Sequence, residues 1–247
     1  MSHMGTEDNL LLSRVDDAVA AAERQTARFL GFLDAREQAV VSQYLRDSAP
    51  FFWGGYAEAE RRMLGVFPQW MQPDNAAFPI TAVQIAWKGA ALTHRDFLGA
   101  LLSLGLKREK IGDLVVRPKD CVAFLENAVA AFVLSSLSRV GSANVSCTVY
   151  AGETVHREAH FAEMTDTIAS ERLDCVISAL TGISRTQAEK CIAGGLVTVD
   201  CLSVTDRAYR VATGASLSVR GYGRFVVDAI GPPTRKGRLR FAARKYL

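Results

Sequence analysis

Apolar residues recur at helical spacing through the first part of the chain. Leu11, Leu12, Val15, Val19 and Ala22 fall on one face of a first helix. Asp34 followed by Glu37 is a capping-box pattern, which opens a second helix through Val40, Val41, Tyr44 and Leu45 until Pro50 ends it. An aromatic loop follows, Phe51-Phe52-Trp53-Gly54-Gly55-Tyr56, then a short charged helix over 57–64, and Pro68 and Pro73 mark a linker. Residues 1–75 therefore read as a helical N-terminal segment, with residues 1–4 as a vector remnant.

The period then changes. Residues 80–87 are a strand rich in β-branched and aromatic side chains, and 93–104 a helix with Thr93 as cap, Asp96 in its first turn and Gly105 as stop. Short strands over 111–116 and 121–125, a helix over 127–137 and a strand over 144–150 complete the order βαββαβ. That order is ferredoxin-like, or RRM-like, over 76–160. From Thr165 a third pattern begins. Leu173, Val176, Ile177 and Leu180 line a helix closed by Gly182, and a second helix over 184–193 starts with Ser184 and Gln187 as a capping box and ends at Gly194-Gly195. Short strands are expected at 197–199, 204, 217–220 and 225–230. Residues 234–247 alternate basic and apolar, as a tail strand or a disordered arm would. The class is multidomain α+β.

Charge sharpens this division. Residues 1–165 carry 16 Lys/Arg and 19 Asp/Glu, a net −3, whereas 166–247 carry 13 and 7, a net +6, within a chain of +3. A basic last third on an acidic remainder points to a polyanion partner for that third. No run approaches the roughly 20 apolar residues of a membrane span, and no basic segment leads into an apolar one as in a secretory signal, so a cytoplasmic protein is expected. Five cysteines without a C-x-x-C pair read as reduced thiols. His156 and His160 stand four apart, but the H-E-x-x-H pattern is not met and no third ligand follows, so neither a metal nor a cofactor is expected.

The candidate chemistry sits at the start of the second C-terminal helix. Arg185 follows the capping Ser184, where the helix dipole disfavours a cation. The placement makes sense if an anion docks there between the guanidinium and the backbone amides of Arg185 and Thr186. Arg172 is expected at the rim of the same face, with Lys190 near the helix end, while Asp174 is expected to pair with a neighbouring arginine rather than perform acid–base work. Arg220, Arg224 and the tail residues Arg235, Lys236, Arg238, Arg240, Arg244 and Lys245 add sequence-independent attraction for phosphates. Reversing the charge of Arg185 should weaken RNA binding at least tenfold with thermal stability almost unchanged.

Residues 170–223 resemble the S4-type RNA-binding domain. The matching elements are Arg172-Leu173-Asp174; Ser184-Arg185 with Ala188, Ile192, Gly195, Val197 and Val199; and Gly214, Leu217, Val219, Arg220 and Gly221. Asp200 stands where members commonly have Asn, and Asp serves the same turn. Two further blocks, Leu92-Thr93-His94-Arg95-Asp96-Phe97-Leu98-Gly99-Ala100-Leu101-Leu102 and Leu104-Gly105-Leu106-Lys107-Arg108-Glu109-Lys110-Ile111-Gly112-Asp113, resemble the YlmH family of bacterial S4-domain proteins. The resemblance implies an RNA-binding protein associated with the ribosome. In some relatives the role is quality control of stalled large subunits carrying peptidyl-tRNA; in others it is linked to cell division. The expected partners are rRNA or tRNA and the large subunit, with a protein partner for the N-terminal domain left open.

The RRM-like domain offers little for base stacking. Its first strand has Trp87 near its end, its third has Phe124, and the Lys/Arg-Gly-aromatic pattern is missing from residues 120–124. His94, Arg95, Lys107, Arg108 and Lys110 are its candidate secondary RNA contacts. An RNA-modifying enzyme is the rival reading, opposed by a middle domain too short for a catalytic fold and lacking a nucleotide loop. A division adaptor with incidental RNA binding is the other, favoured by the aromatic loop if exposed.

Overall fold

The N-terminal apolar stripe folds as α1 (Thr6–Glu23), with Leu11, Leu12, Val15 and Ala22 turned inward. The computed structural model describes residues 6–46, 50–152, 154–156 and 161–247; residues 1–4 and His160 lie outside them. The chain forms two compact units, Met1–Arg157 and Glu158–Leu247. After α1 come β1 (Arg28–Leu33) and α2 (Ala35–Tyr44). The capping box forms as expected: the Asp34 carboxylate accepts from the Glu37 amide at 2.8 Å, and that of Glu37 from the Asp34 amide at 2.7 Å.

The next stretch departs from the expected helix. Residues 57–64 form no helix; β2 (Phe51–Trp53) and β3 (Arg62–Val66) join β1 in an antiparallel sheet of order β1-β3-β2. Alternation across β3, with Met63 and Leu64 fully buried on its two sides, outweighed the local helix preference of Ala and Glu.

The middle of the chain follows its pattern closely: β4 (Ile80–Trp87), α3 (His94–Ser103), β5 (Ile111–Val116), β6 (Asp120–Glu126), α4 (Asn127–Ser136), β7 (Arg139–Val140) and β8 (Ala143–Val149). The sheet order β5-β6-β4-β8-β7 is the ferredoxin-like order extended by the short β7. One face, with Val83, Ile85, Cys121, Ala123 and Leu125, packs on α3 and α4. The other face, where an RRM would display aromatics, is covered by the N-terminal segment. Phe32, Tyr56, Met63 and Phe78 close over Val115, Val122 and Phe124, and the Tyr56 ring stacks on Phe124 with centroids 4.7 Å apart. Gly55 makes this approach possible: its φ is +97°, and a Cβ there would sit 2.4 Å from the Phe124 ring. Tyr56 is buried and Phe51 and Trp53 partly so, so the aromatic segment fills a core instead of presenting a contact surface.

In the C-terminal unit, β9 (Phe161–Ile168) leads to α5 (Leu173–Thr181) and α6 (Arg185–Ala193), then β10 (Val197–Val199), β11 (Leu202–Ser203), β12 (Ser216–Val219), β13 (Gly223–Pro233) and β14 (Leu239–Tyr246). The antiparallel order is β11-β10-β12-β13-β14-β9. Residues 239–246 are a full strand paired on both sides, not a free arm, and β9 was not foreseen; it pairs with β14 from Leu239↔Ile168 to Tyr246↔Phe161. The helices bury Leu173, Val176, Ile177, Leu180, Ala188 and Ile192 against Leu217, Val219, Phe225, Val227 and Phe241. Gly195, at φ +68°, closes α6 in a Schellman motif: its amide donates to Ile192 and that of Leu196 to Cys191. Asp200 and Cys201, at φ +48° and +65°, form the two-residue turn between β10 and β11, so the aspartate occupies the turn geometry expected of it. No helix among the described residues is long and apolar enough to cross a membrane.

Candidate nucleic-acid interface

Arg172 caps α5 and Arg185 is the first residue of α6. The buried carboxylate of Asp174, in the first turn of α5, draws them together. It accepts from Arg172 Nε and Nη2 at 3.1 and 3.0 Å and from Arg185 Nε at 2.9 Å, and it forms an ion pair with Arg185 Nη2 at 2.8 Å. Asp174 has a fully buried side chain, whereas Arg172 and Arg185 are 36% and 52% exposed. Two guanidinium groups that would repel in solution are thus held side by side at the surface, each keeping donors directed outward.

Burial pushes the Asp174 carboxyl up, but the hydrogen bonds from Arg172 and Arg185, with their charges, outweigh it and hold it down at about 2. The ordinary value is 3.8, so this carboxylate stabilises the fold fully above about pH 4 and loses that contribution as the pH falls towards 2. Accordingly, the stability difference between the wild type and Asp174→Asn, measured by chemical denaturation, should be constant from about pH 7 to pH 5 and shrink steadily below pH 4. A difference that grew on acidification would contradict the clamp.

Arg238 reaches the same locality from the β13–β14 turn. Its guanidinium donates to the Thr167 hydroxyl at 2.9 Å and to the Thr167 carbonyl. Arg185 and Arg238 line one cavity of about 320 Å³ together with Thr167, Cys175 and Ser178. Asp166 is also on its wall. Ser184 caps α6 by accepting from the Gln187 amide at 3.3 Å; only this half of the expected capping box forms. Ser184, Arg185 and Thr186 are all exposed at that helix start.

The other basic residues do not join this cluster. Lys190 lies in the last turn of α6, about 140° around the axis from Arg185. Arg220 donates its backbone amide to the Leu196 carbonyl, which places it beyond the C-terminal end of α6. Arg224 is on the sheet face opposite the helices. Arg235 and Lys236 are exposed at the tip of the turn that carries Arg238. The expected single cradle of Arg172, Arg185, Lys190 and Arg220 is therefore replaced by Arg172, Arg185 and Arg238, with Lys190 and Arg220 towards the far end of the helix.

Two cations escaped the sequence reading. The loop before Val211 folds back on the start of α5, where Leu173 donates to Tyr209 at 2.9 Å and Asp174 to Arg207 at 3.3 Å. Arg207 and Arg210 arrive with it, pairing with Glu189 at 3.2 Å and Glu171 at 4.0 Å. Nothing in their local pattern distinguishes them from loop arginines.

In the N-terminal unit, His94, Arg95 and Lys107 are exposed. Arg108 is turned inward, donating to the Ile111 carbonyl at 2.6 Å, and burial lowers it to about 10. Lys110 is tied to Glu126 at 2.6 Å. These two are committed to the fold. His156 meets Glu58 at 3.1 Å, and no group of potential metal ligands occurs among the described residues.

Comparison with known proteins gives the family. Residues 73–153 match the family model described as "Putative RNA-binding domain in YlmH", and residues 171–217 match the S4 domain. The solved structure of "Cell division protein ylmH from Streptococcus pneumoniae" shares the fold, with a TM-score of 0.52 over 61% of this chain and 94% of that one at 16% identity. "Ribosome-associated protein quality control protein P2" of Bacillus subtilis (strain 168) is 34% identical over 223 residues, covering 88% of this chain and 87% of its own length. With that relative aligned along nearly the whole chain and an S4 domain at the paired arginines, this protein belongs to the YlmH family of RNA-binding, S4-domain proteins.

Proposed function

We propose that this protein is a non-enzymatic factor of the cytoplasm that binds the large ribosomal subunit and acts in quality control of stalled translation. It grips rRNA or tRNA phosphates through its C-terminal unit. The observation that carries this reading is the Asp174 clamp, which holds Arg172 at the start of α5 against Arg185 at the start of α6, with Arg238 on the same cavity as Arg185. Guanidinium groups held by a shared carboxylate can engage phosphate oxygens bidentately, and because that carboxylate already restrains them, little side-chain entropy is lost on contact. Lys190, Arg220, Arg224, Arg235 and Lys236 supply attraction at longer range. Contacts of this kind select backbone shape rather than base identity. The ribosomal assignment is supported by the Bacillus relative, whose name places it in ribosome-associated quality control.

Crosslinking in cells followed by sequencing of the attached RNA tests the proposal. Crosslinks should concentrate in large-subunit rRNA and tRNA and increase when translation is stalled. Crosslinks spread over messenger RNA, or unchanged by stalling, would refute it.

A further inference from the structure

The sheet face turned away from α5 and α6 carries a row of side chains that the phosphate grip does not use. Strand alternation sends Phe225, Val227, Phe241 and Ala243 into the core and leaves Arg224, Val226, Ala242, Arg244 and Tyr246 on the opposite face. There the Arg224 guanidinium carbon lies 4.8 Å from the centre of the Tyr246 ring, and the Tyr246 ring centre lies 4.7 Å from that of Phe161. The Arg244 guanidinium carbon lies 4.8 Å from the Phe161 centre. The row thus runs guanidinium, ring, ring, guanidinium across β13, β14 and β9.

Its neighbours are low. Ser218 stands opposite Arg224, Thr198 opposite Ser218, and Thr165 opposite Ala242. Arg240 adds a third cation on this face. Two acids share the face: Asp228, which accepts from Arg244 Nε at 2.8 Å, and Glu163, opposite Arg244.

We propose that this face binds unpaired nucleotides of RNA, with bases stacking on the arginine–aromatic row and the flanking guanidinium groups meeting the phosphates. The inference rests on the protein being an RNA binder and adds a second, base-dependent surface to the phosphate site. Both ring and guanidinium offer flat faces on which any base can stack, and a positive charge beside them attracts the backbone. Protection of a sheet edge is the alternative use of such charges, but it needs them on the edge strand itself. Here Arg224 and Arg244 lie on interior strands, with β9 outside them.

The test titrates the full-length protein with two labelled ten-residue oligonucleotides, one an unstructured RNA and the other the same backbone without bases. The wild type should bind the base-bearing oligonucleotide about tenfold more tightly or better. The Phe161→Leu/Tyr246→Leu variant should lose that preference, to within about twofold, whereas Tyr246→Phe, which keeps the ring, should retain it. Equal affinity of the wild type for both oligonucleotides, or a preference that survives in the leucine variant, overturns the proposal. A leucine variant that fails to fold leaves the wild-type and Tyr246→Phe ratios to decide. Arg185→Gln, run in parallel, should weaken both oligonucleotides alike and keep their ratio. If it weakens neither, the phosphate site fails while the stacking face stands.

Discussion

Replacing Arg185 with glutamine is expected to weaken binding of a structured rRNA fragment at least tenfold, and to lower the slope of log affinity against log salt by about one. The substitution removes one of two cations aligned by Asp174 while leaving Arg172 to satisfy that buried carboxylate. Thermal stability should therefore fall only slightly. A charge reversal at the same position, which the sequence suggests as a clean probe, is not clean in this fold: a glutamate would stand beside the buried Asp174 carboxylate that Arg185 now meets at 2.8 Å. Two carboxylates so placed repel, and the variant would lose stability together with affinity. Titration by fluorescence anisotropy at several salt concentrations, with a melting curve for each variant, separates the two effects. Unchanged affinity and slope for Arg185→Gln would remove Arg185 from the RNA contact.

The second large effect lies in the N-terminal unit. Asp113→Ala should destabilise it by about 3–5 kcal/mol, lowering its melting temperature by about 10 °C. Asp113 is buried and accepts from the Tyr56 hydroxyl at 2.8 Å and from the amides of Glu60 and Arg61 at 2.8 and 3.0 Å. It ties the segment that covers the RRM-like sheet to the sheet itself. Removing it strands three donors and withdraws the negative charge near Arg61 and Arg108, both turned inward against backbone carbonyls. Tryptophan fluorescence reads this unit alone, because Trp53, Trp70 and Trp87 all lie within it. Structured-RNA affinity of the folded variant should stay within about twofold of wild type, since the paired arginines belong to the other unit. A loss of stability below about 1 kcal/mol would show that the covering segment does not depend on this carboxylate.

Much of this was legible before any coordinates. The helices that a cap announces begin at the residue after it: Asp34 for α2, Thr93 for α3, Ser184 for α6. Caps and glycine stops act over four or five residues, so a local pattern suffices. The RRM-like strands were equally readable, because both faces of β5 and β6 are buried and their residues are almost continuously apolar. The strands that went unread are those with ambiguous local patterns. β9 carries Glu163, Thr165, Asp166 and Thr167 at a sheet edge, and β3 follows a stretch whose composition favours helix.

The sequence by itself determined the βαββαβ order of the middle region, the two helices and central strands of the C-terminal one, the S4 motif, and the pairing of Asp174 with an arginine. Only the tertiary structure decided that one carboxylate holds two arginines, that Arg238 joins them while Lys190 and Arg220 do not, and that Phe124 is sealed beneath Tyr56. The reason is physical. A cap or an apolar stripe is satisfied by neighbours along the chain, whereas Arg238 meets Thr167 and Tyr246 meets Phe161 only because β14 pairs with β9 across a sheet whose register no local pattern specifies.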